Sequence, residues 1–217
     1  MSANRAILFD LDGTLVDSLQ DIADSANRAL ATLGAPPHPT GDYRRMIGQG
    51  VEELIRSALP GTLRNPEGMA RALAAMRDDY ARNWNSTTRP FPGILESIAH
   101  LRARGVALGV LSNKPHAFTV EMVDTLFAPG TFDLVWGARP GVPHKPDPIA
   151  ALDMATTLAV EPASCALVGD SDIDIHTARA AGMQPVGVLW GLRDEAELRE
   201  AGAELLLARP EEIRGLG

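Results

Sequence analysis

The chain of 217 residues contains a single cysteine, Cys165. A lone thiol cannot close an internal disulfide, and no Cys/His spacing offers a zinc site, so a reducing, cytoplasmic setting is expected. Positive charge is also short: 20 Lys and Arg stand against 28 Asp and Glu, a net charge of −8. A protein that grips a nucleic-acid backbone carries the opposite excess, which argues against that partner. No apolar run approaches the roughly 18 residues of a membrane span. Asp10 and Asp12 interrupt the N-terminal stretch before a signal-peptide core could form. Among the Lys and Arg residues lysine is rare: only Lys114 and Lys145 occur, and the others are arginines.

What is present describes a globular chain. Hydrophobic residues make up 45 %, charged residues 22 % and aromatics 5 %. The length suits one large α/β domain or one domain carrying a smaller insert. Ala6-Ile7-Leu8-Phe9 is a continuous apolar run without polar alternation, as in strands buried on both faces of a parallel sheet. Comparable runs recur at 106–111, 134–136, 165–168, 186–189 and 205–207. Helical patterns lie between several of them. Ile94, Leu95, Ile98 and Leu101 form a stripe ended by Gly105, and residues 172–181 end at Gly182 and Pro185. Alternating strands and helices predict a parallel sheet with crossover helices.

Residues 16–85 break that rhythm. Leu19, Ile22, Ala26, Leu30 and Leu33 make one helical stripe, and 42–47, 51–59 and 66–84 read as further helices. A polar, proline-containing connection, 85–93, follows. The expected organisation is an α/β core from 1–15 and 86–217, with a helical domain of 16–85 inserted after the first strand.

In an open parallel sheet, ligands bind beyond the carboxyl ends of the strands. The polar residues there are Asp10, Asp12, Gly13 and Thr14, then Ser112-Asn113-Lys114, then Gly169, Asp170, Asp172 and Asp174. Lys145 stands in the loop Pro143-His144-Lys145-Pro146. Taken singly, an Asp at a strand end is more often a helix N-cap than a ligand. If the helix began at Asp170, that residue and Asp174 would share a face. Carboxylates gathered at several strand ends repel, and a hard cation with oxygen ligands relieves this; Mg²⁺ takes one or two carboxylates, waters and a phosphate oxygen.

These segments carry a resemblance. Phe9-Asp10-Leu11-Asp12-Gly13-Thr14-Leu15-Val16-Asp17-Ser18 is similar to the first motif of the haloacid dehalogenase superfamily in its phosphatase form. Leu111-Ser112-Asn113, Lys145-Pro146-Asp147-Pro148 and Gly169-Asp170-Ser171-Asp172-Ile173-Asp174 resemble the second, third and fourth motifs, in order. Residues 44–50 and Trp190-Gly191-Leu192-Arg193 look most like phosphoglycolate-phosphatase-type members. The resemblance implies an α/β fold with a Rossmann-like parallel sheet core and an inserted α-helical cap domain.

It also implies roles. Asp10 would be the nucleophile that forms an aspartyl-phosphate. Bringing its charge against a phosphate costs on the order of 4 kcal/mol per unit-charge pair at ~4 Å and an effective dielectric near 20. Mg²⁺ held by Asp10, Asp170 and the backbone carbonyl of Asp12 would offset that repulsion, with Asp174 behind the site. Ser112, Asn113 and Lys145 would bind the phosphoryl group, and Lys145 would also compensate Asp10 and Asp170. Asp12 would protonate the leaving alcohol and later activate water. Dehalogenases lack this aspartate, and the ion-pumping ATPases carry threonine there and need membrane spans. The phosphonate-cleaving relatives use a cap lysine, and residues 16–85 contain none.

Arg44, Arg45 and Gln49 are the expected cap contacts to an anionic substrate. The expected activity is Mg²⁺-dependent hydrolysis of small phosphorylated metabolites, 2-phosphoglycolate first, by a cytoplasmic monomer or homodimer. The alternative is a β-phosphoglucomutase-type phosphosugar mutase, which shares Asp10, Asp12 and the cap.

Overall fold

The computed structural model describes residues 5–217. Six strands form one parallel sheet: β1 (Ala6–Phe9), β4 (Ala107–Pro115), β5 (Leu134–Ala138), β6 (Cys165–Gly169), β7 (Gln184–Val188) and β8 (Leu205–Leu207). A short pair, β2 (Val16–Asp17) and β3 (Arg89–Pro90), forms a second sheet. Strand order in the large sheet is β5-β4-β1-β6-β7-β8, so β1 is central, and the order reverses beside it. Ala6 to Phe9 align with Ala107 to Val110 on one side and Cys165 to Val168 on the other.

The continuous apolar run of β1 has its reason in this position. All four residues are fully buried. Ala6 and Leu8 join Cys165, Leu167, Met154, Ala155 and Ala178 in a cluster on one face. On alternation Ile7 and Phe9 take the other face, where Phe9 meets Phe132 edge-on at 6.5 Å between ring centroids. A fully buried Leu, Ile or Phe contributes about 1.5–3 kcal/mol, so neither face of β1 tolerates a polar residue cheaply.

The helices of this unit are α4 (Ile94–Ala103), α5 (His116–Leu126), α6 (Ile149–Thr157), α7 (Asp172–Ala180) and α8 (Glu195–Ala201). The apolar stripe of α4 is narrower than the sequence suggests, since Leu95 is exposed while Ile94, Ile98 and Leu101 are buried. Helix α7 begins after Ser171, not at Asp170. Asp174 is its third residue and accepts from the Ser171 amide at 3.2 Å and hydroxyl at 2.6 Å. Asp170 therefore precedes the helix, and the two aspartates do not share a helical face. The sequence pattern does not single out α5, α6 or α8: α6 is alanine-rich and α5 is apolar around much of its circumference, so neither shows a clean stripe.

The chain divides into two compact units, the sheet unit (up to Val16, then Pro90–Gly217) and a helical unit, Asp17–Arg89. The helical unit holds α1 (Leu19–Ala31), α2 (Val51–Ala58) and α3 (Pro66–Asn83), and where an α-helix is expected over 42–47 the chain forms a 3-10 turn, Thr40–Arg45, that ends before Met46. α1 turns Ile22, Ala26, Ala29 and Leu30 inward, and α3 buries Met69, Ala72, Met76 and Tyr80. The side chain of Asn27 donates to the carbonyl of His38 and accepts from its amide, both at 2.9 Å, and also accepts from the Tyr43 hydroxyl at 2.7 Å. Asp21 receives the amides and hydroxyls of Thr87 and Thr88 at 2.8–3.1 Å, fastening the first turn of α1 to the segment after α3. Among the described residues, no helix is long and apolar enough to cross a membrane.

Candidate active site

The carboxyl ends of β1, β4 and β6 bring the chemistry together. Beyond β1 stand Asp10 and Asp12; beyond β6 stands Asp170, with Asp174 one helical turn on. One carboxylate oxygen each from Asp10, Asp170 and Asp174 lies within 4.8 Å of the others, and all three residues are buried. Lys145 Nζ donates to Asp10 Oδ1 at 2.9 Å, to Asp174 Oδ1 at 2.6 Å and to the Leu111 carbonyl at 2.7 Å. The family resemblance implies that this lysine compensates Asp10 and Asp170; its bonds run to Asp10 and Asp174.

β4 is irregular between Leu111 and Pro115, a bulge that re-aims Ser112, Asn113 and Lys114 at the strand end. Asn113 and Lys145 are locked reciprocally: the Asn113 side chain donates to the Lys145 carbonyl and accepts from its amide, each at 2.9 Å. Asn113 thus holds the loop that carries the lysine. Ser112 is buried beside it and accepts from the Lys114 amide at 3.3 Å. Lys114 Nζ reaches across to Asp12 and donates to both of its carboxylate oxygens at 3.0 Å.

Asp170 is held by two donors. Thr14 Oγ1 donates to its Oδ1 at 3.0 Å, and the Leu192 amide donates to its Oδ2 at 2.8 Å. Trp190 Nε1 donates to the Thr14 carbonyl at 3.0 Å, tying the loop after β7 to the turn after β1. Two glycines permit the close approach. Gly13 has φ +86°, and a Cβ there or on Gly191 would run into the Asp170 side chain.

The electrostatics follow from burial. Desolvation raises Asp10 to about 6, with Lys145 opposing and Asp174 and Asp12 adding to the rise. Asp170 is pushed up to about 7 by burial and by the charges of Asp10 and Asp174, against the hydrogen bonds from Leu192 and Thr14. Burial works against the charge of Lys145, yet the Asp10 and Asp174 carboxylates outweigh it and hold the ammonium above its ordinary range. Four acidic side chains (Asp10, Asp12, Asp170, Asp174) outnumber the two ammonium groups that bond to them (Lys114, Lys145). The donors are all oxygen. The cluster fits a hard divalent metal ion, which Asp10 and Asp170 could hold while Asp174 turns to Lys145 and Ser171.

Of the residues expected from sequence, Asp10, Asp12, Ser112, Asn113, Lys145, Asp170 and Asp174 converge at this sheet edge. Arg45 and Gln49 belong to the helical unit, where both are exposed. Sequence reasoning gave no role to Lys114, Thr14 or the backbone of Leu192. For Lys114 a signal existed, as it is one of two lysines and directly follows Ser112-Asn113. The other two act through a hydroxyl and an amide that no spacing rule picks out.

Known proteins resemble this chain in sequence and fold. The family model for haloacid dehalogenase-like hydrolases matches residues 7–188. A phosphoglycolate phosphatase of Pseudomonas putida is 36 % identical over 191 residues, covering 86 % of this chain and 70 % of the relative. One from Aquifex aeolicus is 32 % identical over 209 residues, covering 96 % and 94 %. A crystal structure described as a predicted phosphoglycolate phosphatase from Haemophilus somnus superposes with a TM-score of 0.93 at 25 % identity, covering 100 % of this chain and 99 % of that one. The chain belongs to the haloacid dehalogenase-like hydrolases, resembles their phosphoglycolate phosphatases, and is a phosphoric monoester hydrolase.

Proposed function

We propose that this enzyme is a Mg²⁺-dependent phosphatase of small phosphorylated metabolites, with 2-phosphoglycolate as the first substrate to try, working through an aspartyl-phosphate. The observation that carries the reading is Asp10, a buried carboxylate bonded to Lys145 at 2.9 Å with Asp170 close beside it. Bound by Asp10, Asp170 and the Asp12 carbonyl, Mg²⁺ would supply charge neutralisation for an anionic nucleophile meeting an anionic phosphate.

The remaining steps belong to the chain's own residues. An Asp10 oxygen forms a bond to phosphorus as the ester P–O bond breaks, and Asp12, which enters this step as the protonated acid, gives its proton to the leaving oxygen. Asp12, now a carboxylate, removes a proton from water, whose oxygen bonds to phosphorus while the Asp10–phosphorus link breaks. Lys145 and the Ser112 hydroxyl hold the non-bridging oxygens and spread their charge. Asn113 positions Lys145. Arg45 and Gln49 are further proposed contacts to the anionic substrate, and a cytoplasmic location suits the buried free thiol of Cys165.

The phosphatase relatives support transfer to water over the phosphosugar mutase reaction. The test is phosphate release from 2-phosphoglycolate and p-nitrophenyl phosphate with Mg²⁺. Asp10→Asn is expected to abolish both. Isomerisation of a sugar 1-phosphate in the presence of a bisphosphate primer, without free phosphate, would establish the mutase instead.

A further inference from the structure

The bond between Lys114 and Asp12 is not required by the phosphoryl half of the site, where Lys145 already provides the cation. Lys114 Nζ sits 3.0 Å from both Asp12 oxygens, with the two side chains 7 % and 10 % exposed. Removing such a pair from water costs about as much as its attraction returns. Stability therefore gives little reason for a second buried lysine in a chain whose other Lys and Arg residues are all arginines. The lysine is also placed with care. It follows the bulge in β4, and its amide donates to Ser112 Oγ at 3.3 Å, so its stem starts beside the phosphoryl-binding hydroxyl.

Asp12 is the group that meets the leaving oxygen in the mechanism above, and this inference rests on that reading. Whatever is attached to that oxygen must then lie next to Lys114. In an ester whose alcohol carbon bears a carboxylate, a carboxylate oxygen stands only about 3 Å from the ester oxygen. An ammonium on a flexible four-carbon stem can face two carboxylates at once, one from Asp12 and one from the substrate. We propose that Lys114 is a specificity-determining residue that binds a carboxylate on the leaving group, so that the site favours phosphomonoesters of 2-hydroxy acids over neutral alkyl phosphates.

The experiment compares 2-phosphoglycolate with ethyl phosphate, which has the same carbon count and no carboxylate, in Mg²⁺-loaded wild type, Lys114→Met and Lys114→Arg. Wild type is expected to prefer phosphoglycolate. Lys114→Met should lower kcat/KM for phosphoglycolate at least tenfold more than for ethyl phosphate, chiefly through KM, and Lys114→Arg should keep part of the preference. Equal losses on the two substrates would mean that Lys114 only positions Asp12, and would overturn the proposal. So would a preference that survives Lys114→Met intact. If Lys114→Met does not fold, Lys114→Arg and wild type decide: an unaltered preference in Lys114→Arg, or none in a wild type that cleaves p-nitrophenyl phosphate, overturns it. A wild type that releases phosphate from no monoester overturns the parent reading as well.

Discussion

Asp174 Oδ1 accepts a 2.6 Å hydrogen bond from Lys145 Nζ, while Asp174 Oδ2 accepts from the backbone and hydroxyl of Ser171. The carboxylate thus anchors the lysine to the first turn of α7. An ammonium at 2.9 Å from Asp10 would otherwise be free to pull that side chain out of line. Asp174→Asn keeps the size of the side chain and removes one of the two charges that hold Lys145. We expect kcat to fall roughly 10- to 100-fold, the range usual for groups that orient catalytic or metal ligands. A steady-state assay at saturating Mg²⁺ checks this, and a variant with wild-type kcat would show that Lys145 is placed by Asn113 and Leu111 alone.

Gly191→Ala tests the packing around Asp170. The added methyl would meet the Asp170 side chain and the Gly13 carbonyl, both fixed by neighbouring backbone. The expected outcome is a displaced Asp170 and a Mg²⁺ concentration for half-maximal activity raised at least about tenfold, in a protein that still folds. Titrating activity against Mg²⁺ measures it.

Asp21 has a structural task in the helical unit. Burial pushes its pKa up, but the four donors of Thr87 and Thr88 more than offset this and hold it below the ordinary 3.8. A lowered carboxylate stabilises the fold fully at pH values above 3.8, and that contribution is lost as pH falls through the lower folded value. Asp21→Asn replaces an acceptor by an amide that faces other donors, at a cost of about 1–3 kcal/mol. Thermal melts at pH 7 should show the deficit, and the gap between variant and wild type should narrow in strong acid.

Much of the fold and of the site is legible in the sequence. The central strand was legible in Ala6-Ile7-Leu8-Phe9 because a strand buried on both faces leaves no room for polar alternation. Asp10, Asp12, Ser112, Lys145, Asp170 and Asp174 stood out because polar residues that abruptly end apolar runs mark one edge of a parallel sheet. What stayed hidden depends on distances between segments far apart in sequence. Lys114 and Asp12 are separated by 102 positions, and nothing local says that one turns to the other. The Leu192 amide has no side-chain signature at all. The start of α7 at Asp172 agrees with the pattern read over 172–181, and with Ser171 as its cap Asp170 is left outside the helix.

Removal of the divalent cation provides the last prediction. Asp10 and Asp170 have folded values of about 6 and about 7 against an ordinary 3.8. A carboxyl group raised in the folded state binds protons more readily there than in the unfolded chain. Its effect on stability is therefore neutral in strong acid and increasingly unfavourable as pH rises from about 4 to about 7. Lys145 does not enter this window, because its pKa is raised from 10.5 and it stays charged throughout. Metal-free protein should accordingly lose melting temperature between pH 5 and pH 8, on a scale of a few degrees (about 1–2 kcal/mol is 2–8 °C for a chain this size). Mg²⁺ binds the ionised carboxylates and competes with those protons, so its stabilising effect should be larger at pH 8 than at pH 5. Thermal melts with and without chelator at the two pH values measure both effects. Asp170→Asn should flatten the pH dependence and remove most of the response to Mg²⁺; an undiminished response would place the cation elsewhere.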